Sequence, residues 1–288
     1  MKRNDPKPDL IITGDWHLRE TIPICRTDDF RQAQWDKVLF VYNLQIKYDC
    51  PVIHSGDLFD HWKPSPYLLS ATIQNIPTDF LTIYGNHDLP QHSLELADKS
   101  GVNVLHVAKA LIVLPGNHWG EDFIKPFYTP LSKLIGIWHV MTYQGKTPWP
   151  RCTDLSAKQI LEKYPEYDLI ITGHNHKSFV EKLDGRLLIN PGSLTRQTAD
   201  QIDHEPCVYL WFAKDNSCQK VLLPFSKGVI SREHIEKETA RNDRLLAFIE
   251  KLNQEFDPDI SFEDNLEKMI KISAVRKSVV QIIRKALE

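Results

Sequence analysis

Short runs of Ile, Val, Leu and aromatic residues recur along the first two hundred residues, bounded by turn formers and separated by amphipathic stretches. Such runs predict strands at Asp9–Thr13, Val52–His54, Phe80–Tyr84, Leu111–Leu114, Ile135–His139, Leu169–Thr172, Arg186–Ile189 and Val208–Phe212. Helical spacing predicts helices over Asp29–Tyr48, Pro66–Asn75, Ser93–Lys99 and Ser156–Lys163. In the first of these, Phe30, Ala33, Trp35, Val38, Phe40, Val41, Leu44 and Ile46 suggest one broad apolar face. Strand–helix alternation, then strand after strand from Leu169 to Leu223, predicts an α/β core with two sheets.

The pattern changes after about Gly228. From Ser231 to Glu288 there is no glycine and a single proline, Pro258. Leu245, Phe248, Ile249, Leu252 and Phe256 repeat at helical spacing, and Ile270, Val275, Val279, Ile282, Ile283 and Leu287 broadly do the same. Ser261, followed by Glu263 and Asp264, reads as a helix start. The expected division is therefore 1–228 as the main domain and 229–288 as a helical C-terminal segment. That segment either packs on the domain or docks another protein.

With 288 residues, 42% hydrophobic and 25% charged, the chain suits one large soluble domain with or without a small appendage. No apolar stretch is long enough to span a membrane. The N-terminal residues lack the apolar centre of a signal peptide. Cys25, Cys50, Cys152, Cys207 and Cys218 are odd in number and form no C-x-x-C pair. Reduced thiols and a cytoplasmic location are the expectation. A net charge of −3 argues against holding nucleic acid by bulk charge alone. Bound divalent cations would change that locally.

Five short blocks of metal-binding residue types stand at or just after predicted strand ends: Asp15-Trp16-His17, Gly56-Asp57, Gly85-Asn86-His87-Asp88, His139 and Gly173-His174-Asn175-His176. In an extended D-x-H segment the carboxylate and imidazole share one side, with Trp16 turned away. A carboxylate such as Asp57 can bridge two ions, one on each oxygen, at the roughly 3.5–4 Å separation of two-metal hydrolases. Asn86 offers a neutral amide oxygen. His87 can face the substrate as a general acid or cationic stabiliser, with Asp88 orienting its ring and raising its pKa. His174 and His176 can each serve a different ion, and such N/O donors suit Mn, Fe or Zn. Each block alone has an ordinary explanation as a turn or a core histidine; five in series do not. Gly116-Asn117-His118-Trp119 imitates the third block but lacks the following acid, and is read as a decoy. His92, His106, His204 and His234 are read as structural or solvated, and His54 as lying behind the site. Lys177, Arg186 and Arg196 are near the fifth block, where solvated surface charge competes with phosphate contact.

In order and content these blocks resemble the calcineurin-like metallophosphoesterase superfamily, over Leu10 to Leu223. The resemblance implies a four-layer sandwich of two mixed β-sheets flanked by helices, with the site on loops at strand ends. The protein phosphatase pattern of that superfamily fits less well: Leu18 stands for a Gly, Asp60-His61-Trp62 for an Asp-Arg-Gly stretch, and Asp88 for a Glu. Gly56-Asp57-Leu58-Phe59 with Lys63-Pro64-Ser65, and Asn190-Pro191-Gly192-Ser193, are similar to SbcD-type DNA double-strand-break repair nucleases. Many of those carry a His where this chain has Asp60. That resemblance implies a first metal on Asp15, His17, Asp57 and His176, and a second on Asp57, Asn86, His139 and His174. It further implies His87 and Asp88 as the catalytic pair and manganese as the ion. It implies DNA as substrate, an SMC-like coiled-coil ATPase docked on the C-terminal helices, and a possible homodimer. No room exists for a DNA-capping domain between Leu223 and Ser231, so a short, phage-type version is expected. The expected activity is metal-dependent DNA hydrolysis in repair, recombination or phage DNA metabolism. A small-molecule or cyclic-nucleotide phosphodiesterase or phosphatase is the first rival, and a non-enzymatic scaffold the second.

Overall fold

The computed structural model describes residues 6–115, 117–121, 126–128, 133–255, 261–272 and 275–287. The chain divides into two compact units, Met1–Ser231 and Arg232–Glu288. The first contains β1 (Leu10–Thr13), α1 (Phe30–Tyr48), β2 (Val52–His54), α2 (Pro66–Asn75), β3 (Phe80–Thr82), α3 (Gly101–Val107), β4 (Ile112–Val113), β5 (Pro126–Tyr128), β6 (Leu134–His139), α4 (Ala157–Lys163), β7 (Leu169–Gly173), β8 (Phe179–Leu183), β9 (Arg186–Asn190), β10 (Cys207–Phe212) and β11 (Ser217–Leu222).

Two mixed sheets form, one in the order β11-β10-β1-β2-β3-β4 and the other β5-β6-β7-β9-β8. Alternation along each strand assigns its side chains to layers. Leu10 and Ile12 of β1 meet Ile135, Ile137, Leu169, Ile171, Leu187 and Ile189 in the core between the sheets. Ile11, Val52 and Phe80 face the other way, onto Val38, Val41 and Leu44 of α1, Leu68 of α2 and Leu105 of α3. On the far side, Ile170 and Leu188 pack against Ile160 and Leu161 of α4. The result is the expected α/β four-layer sandwich.

The local sequence starts these helices with side-chain caps: Asp29 for α1, Ser65 followed by Pro66 for α2, Ser100 for α3, and a Ser156/Gln159 capping box for α4. Several expectations are corrected. The segment Leu94–Lys99 is a 3₁₀ turn, and the α-helix follows at Gly101–Val107. Ile46 on α1 is exposed, while Gln34, Lys37 and Gln45 are buried. Gln34 and Gln45 earn burial by accepting backbone N–H groups of Arg19 and Thr78. Strands β5, β8 and β11 lie outside the expected set. Strand β8 is the partner of β9 in a hairpin whose turn residues Asp184 and Gly185 both have positive φ, the signature of an Asp-Gly turn.

The second unit contains α5 (Glu233–Glu255), α6 (Phe262–Ile272) and α7 (Lys277–Leu287). Ser261 Oγ accepts the Asp264 N–H at 3.1 Å and so caps α6. That helix buries Leu266, Met269 and Ile270. The division falls after Ser231 and not at 228, because the backbones of Val229 and Ser231 bond to Thr27 and Cys25 in the first unit. No helix among the described residues is long and apolar enough to cross a membrane.

Candidate metal centre

The ends of β1, β2, β3, β6 and β7 converge on one point, and the five blocks arrive there together. Three backbone hydrogen bonds zip the first two loops side by side: Asp15 N–H to Gly56 O, His17 N–H to Asp57 O, and Leu18 N–H to Leu58 O, at 2.9–3.1 Å. Leu194 N–H, from the segment after β9, bonds Asp15 O. Asp15, His17, Asp57 and His174 all have φ between 45° and 74°. Non-glycine residues adopt this left-handed region at a cost of order 1–3 kcal/mol each, and such strain clusters at functional sites. The turn aims each donor inward instead of along the strand. Side-chain room is as restricted: a methyl on Gly85 would run into the Asp57 carboxylate and backbone N.

Three donor clusters result, the third being His17, Asp60 and His87 beside the first. In the first, donor atoms of Asp15, His17 and His176 all lie within 4.8 Å of one another. His17 Nε2 and His176 Nε2 face each other at 3.0 Å. Asp15 Oδ1 accepts the His174 N–H at 2.9 Å, while its Oδ2 is buried with no partner. In the second, Asp57, His139 and His174 meet by the same measure, and Asn86 Oδ1 lies 3.2 Å from His139 Nε2 and 2.9 Å from His174 Nδ1. The His139 Nδ1–H donates to Ser55 O at 2.7 Å, which turns its Nε2 lone pair to the centre.

Asp57 joins the clusters through one oxygen. Its Oδ2 is 3.6 Å from His17 Nε2 and 3.3 Å from His139 Nε2. Its Oδ1 accepts the His87 N–H at 2.8 Å. Oδ1 is thus engaged by a backbone N–H, and Oδ2 faces the first two clusters.

The electrostatics show what the cavity lacks. Burial pushes the Asp15 carboxyl up to about 8, against the pull of His139. Burial also acts on Asp57, but His139, His17 and His87 outweigh it and hold this carboxyl well below the usual range. Burial holds His17 well below its ordinary value and takes His174 to about 4. Burial opposes protonation of His139 too, but Asp57 and Asp15 prevail and raise it to about 9. His17 and His174 are thus held neutral, Asp15 Oδ2 is an orphaned buried acceptor, and a proton on His139 is what faces the Asp57 and Asp15 carboxyls where a metal cation would. Two divalent cations fit that set.

His87 and Asp88 do not pair as expected. Asp88 is fully buried, and its carboxylate accepts four backbone N–H groups: Asp57 at 2.8 Å, Leu58 at 3.3 Å and Gly85 at 3.0 Å on Oδ2, and Phe59 at 3.1 Å on Oδ1. It pins the second loop to the third. The ring of His87 instead has its Nδ1 at 2.8 Å from the backbone carbonyl of Asp60. Asp60 is itself held by Arg19, whose guanidinium also reaches Gln197. Thus Asp60, not Asp88, orients the imidazole, and it leaves Nε2 available.

Other sequence readings also change. The supposed decoy loop is a wall of the site. The Trp119 ring lies 4.7 Å from that of His174, and Asn117 O accepts the His139 N–H. His92 supports Asn86, with Nδ1 2.7 Å from its carbonyl oxygen. Trp16 is buried and bonds Thr13 Oγ1, as its position in the D-x-H segment suggests. Arg186 is turned to the carbonyls of Leu161 and Tyr164, away from the centre. Arg196 is buried and not solvated. Lys177 is exposed beside His176 in an open cleft of about 590 Å³. That cleft continues past His174 to Lys220 and to the acidic Asp200, Asp203 and Glu205.

Residues 9–210 match the calcineurin-like phosphoesterase superfamily domain, and the chain belongs to that superfamily. Its activity at that level is metal-dependent phosphoester hydrolysis, and the His/Asp clusters are placed to hold the metal. No curated relative matches the chain. Among solved structures, a novel archaeal phosphodiesterase is similar at 17% identity and TM-score 0.45, covering 74% of this chain and 99% of its own. A putative 5′-nucleotidase from Staphylococcus aureus is similar at 15% identity and TM-score 0.46, covering 80% of this chain and 57% of its own. Zinc-bound Vps29 from Entamoeba histolytica shares 15% identity at TM-score 0.38, covering 75% of this chain and 99% of its own.

Proposed function

We propose that the chain is a two-metal phosphodiesterase that hydrolyses DNA. Asp15, His17, Asp57 and His176 would hold one divalent cation, and Asp57, Asn86, His139 and His174 the other, with manganese the expected ion. Such a pair, when bound, supplies Lewis acidity to the phosphoryl oxygens and a water acidic enough to act as nucleophile near neutral pH. The protein's own part follows from its geometry. Asp57 fixes the spacing of the clusters through Oδ2. The Asp60 carbonyl takes the Nδ1 side of His87, which leaves Nε2 to hold a proton for the leaving sugar oxygen. Trp119 and the buried walls keep the His174 ring in place.

The observation that carries the DNA reading is the open cleft of about 590 Å³ beside the centre, with Lys177 and Lys220 along it. It offers room beyond one phosphate and cations for its neighbours. The GDLF-type residues support the reading only indirectly, because Leu58 and Phe59 are spent in the core. Asp200, Asp203 and Glu205 on the same cleft favour the second reading, a phosphodiesterase for small or cyclic nucleotides, since they repel a polyanion. In the DNA reading, residues 232–288, with Leu245, Leu246 and Ile249 exposed on α5, dock an SMC-like ATPase.

The test is Mn-dependent digestion of end-labelled duplex and single-stranded DNA beside a bis-aryl phosphate and a cyclic nucleotide, with Asp57→Asn as control. Cleavage of linear DNA abolished by Asp57→Asn supports the proposal. Turnover of the small substrates with intact DNA refutes the DNA reading and keeps the second.

A further inference from the structure

A second polar site lies away from the metal clusters, where the segment before α1 meets the segments after β9 and β11. Arg26, Lys37 and Arg196 line a cavity of about 210 Å³ together with Asp28, Phe225 and Ser226. All three cationic residues are buried, Lys37 and Arg196 at 3% exposure. Asp28 forms a two-pronged pair with Arg26, at 2.7 Å and 2.6 Å. Asp36 is exposed at the edge, with Oδ1 taken by the Gln32 amide.

The charges do not balance. Among the described residues, neither Lys37 nor Arg196 has a carboxylate in ion-pair contact. Lys37 uses one of its three N–H bonds on Ala33 O, one turn back in α1. Arg196 reaches the carbonyls of Ile202 and Ser226 and lies over the Phe225 ring, which leaves three of its five N–H bonds. Buried cations are expensive unless paired. Consistent with that cost, burial and then Arg26 and Arg196 hold the Lys37 ammonium down to about 8. The cavity has the volume of roughly seven liquid waters, enough for a tetrahedral anion and part of its hydration but not a nucleoside.

We propose that this pocket binds a phosphate group, clamped between the ammonium of Lys37 and the guanidinium groups of Arg26 and Arg196. Three donors from three segments of chain suit an acceptor with oxygens on several sides, more than a planar carboxylate. The pocket touches the metal centre through one segment. Arg26 Nη1 donates to Arg196 O, and the next residue, Gln197, donates to His17 O at 3.1 Å. A phosphate held here would stiffen the segment that supports the His17 loop. It comes either from free inorganic phosphate or from the terminal phosphate of a nucleotide chain.

The test is thermal unfolding of the full chain in a metal chelator, so that no cation at the centre competes for the anion. Inorganic phosphate is titrated against chloride at equal ionic strength. The expected result is a phosphate-specific rise in Tm for the wild type. Lys37→Met should weaken the response roughly tenfold or more, the worth of one charged hydrogen bond. Ser226→Glu, at an exposed wall residue, should weaken it too without disturbing a buried group, while Lys37→Arg should retain it. Absence of the rise in the wild type, or its full retention in Lys37→Met and Ser226→Glu, overturns the proposal. Binding of short oligonucleotides with and without a terminal phosphate then separates the sources. A preference for the phosphorylated end that Lys37→Met removes identifies a nucleotide chain; indifference to Lys37→Met identifies free phosphate.

Discussion

Replacing Asp88 by Ala separates two roles for this carboxylate, and the structure gives the size of the effect. Four buried backbone N–H groups, those of Asp57, Leu58, Phe59 and Gly85, converge on it within 3.3 Å. Each buried donor left unsatisfied costs about 1–3 kcal/mol. Part of that loss is offset, because burial and the charge of Asp57 already push Asp88 up to about 7, so removing it relieves a disfavoured charge. Taking the lower limit for each donor gives a net loss of about 4 kcal/mol. With an m-value of about 3 kcal/mol/M for a chain of this size, the urea midpoint should fall by roughly 1 M. The assay is urea unfolding followed by tryptophan fluorescence, paired with metal stoichiometry, since the Asp57 loop should loosen as well. Had Asp88 oriented the His87 ring, the same change would leave stability and metal content intact and remove turnover. A stability loss below about 1 kcal/mol together with a turnover loss as large as that of His87→Ala would therefore refute the backbone-pinning role.

Further outcomes follow from the same geometry. His87→Ala should keep both metal equivalents, measured by elemental analysis, and lose about 10²–10⁴-fold in kcat if its Nε2 holds the leaving-group proton. Gly85→Ala should lower metal stoichiometry in a folded protein, because the added methyl meets the Asp57 carboxylate and backbone; full occupancy would contradict the packing described. In the metal-free protein, stability should fall between about pH 7 and pH 9. Asp88 (raised to about 7), Asp15 (raised to about 8) and His139 (raised to about 9) lose protons across that range, whereas unfolded carboxylates near 3.8 and histidines near 6.5 have already lost theirs. The native state then releases more protons than the unfolded state, and Tm declines. Saturating Mn should flatten that decline, since a cation replaces the protons; an unchanged slope would count against metal binding at Asp15.

The donors of this centre were legible in the sequence because strand ends are legible. Each run of Ile, Val and Leu announces where a strand stops, and the residue types at five such stops share one chemistry. What the sequence did not show is carried by backbone groups and by packing. The orienting partner of His87 is a carbonyl of Asp60, and a carbonyl has no letter. Asp88 looked catalytic for the same reason: its partners are four peptide N–H groups, invisible in a string of side chains. The polar residues buried on α1 mislead in the same way, since Gln34 and Gln45 serve loop backbones that no helical period records. The third loop's imitation, Asn117-His118-Trp119, lacks the acid that marks the pattern, yet its backbone and its indole support His139 and His174.

The left-handed turns at Asp15, His17, Asp57 and His174 connect these points. A strand delivers its last side chain perpendicular to the sheet, and five strands alone would scatter their donors above and below it. Turning the backbone at the stops of β1, β2 and β7 helps point the donors into one volume, at a conformational cost that the zipped Asp15–Leu18 and Gly56–Leu58 loops and the Asp88 pin must offset. Metal geometry in this fold therefore depends on residues that never touch a metal. The tightest of those supports, Gly85 and Asp88, flank the two third-block side chains proposed to act in the site, Asn86 and His87.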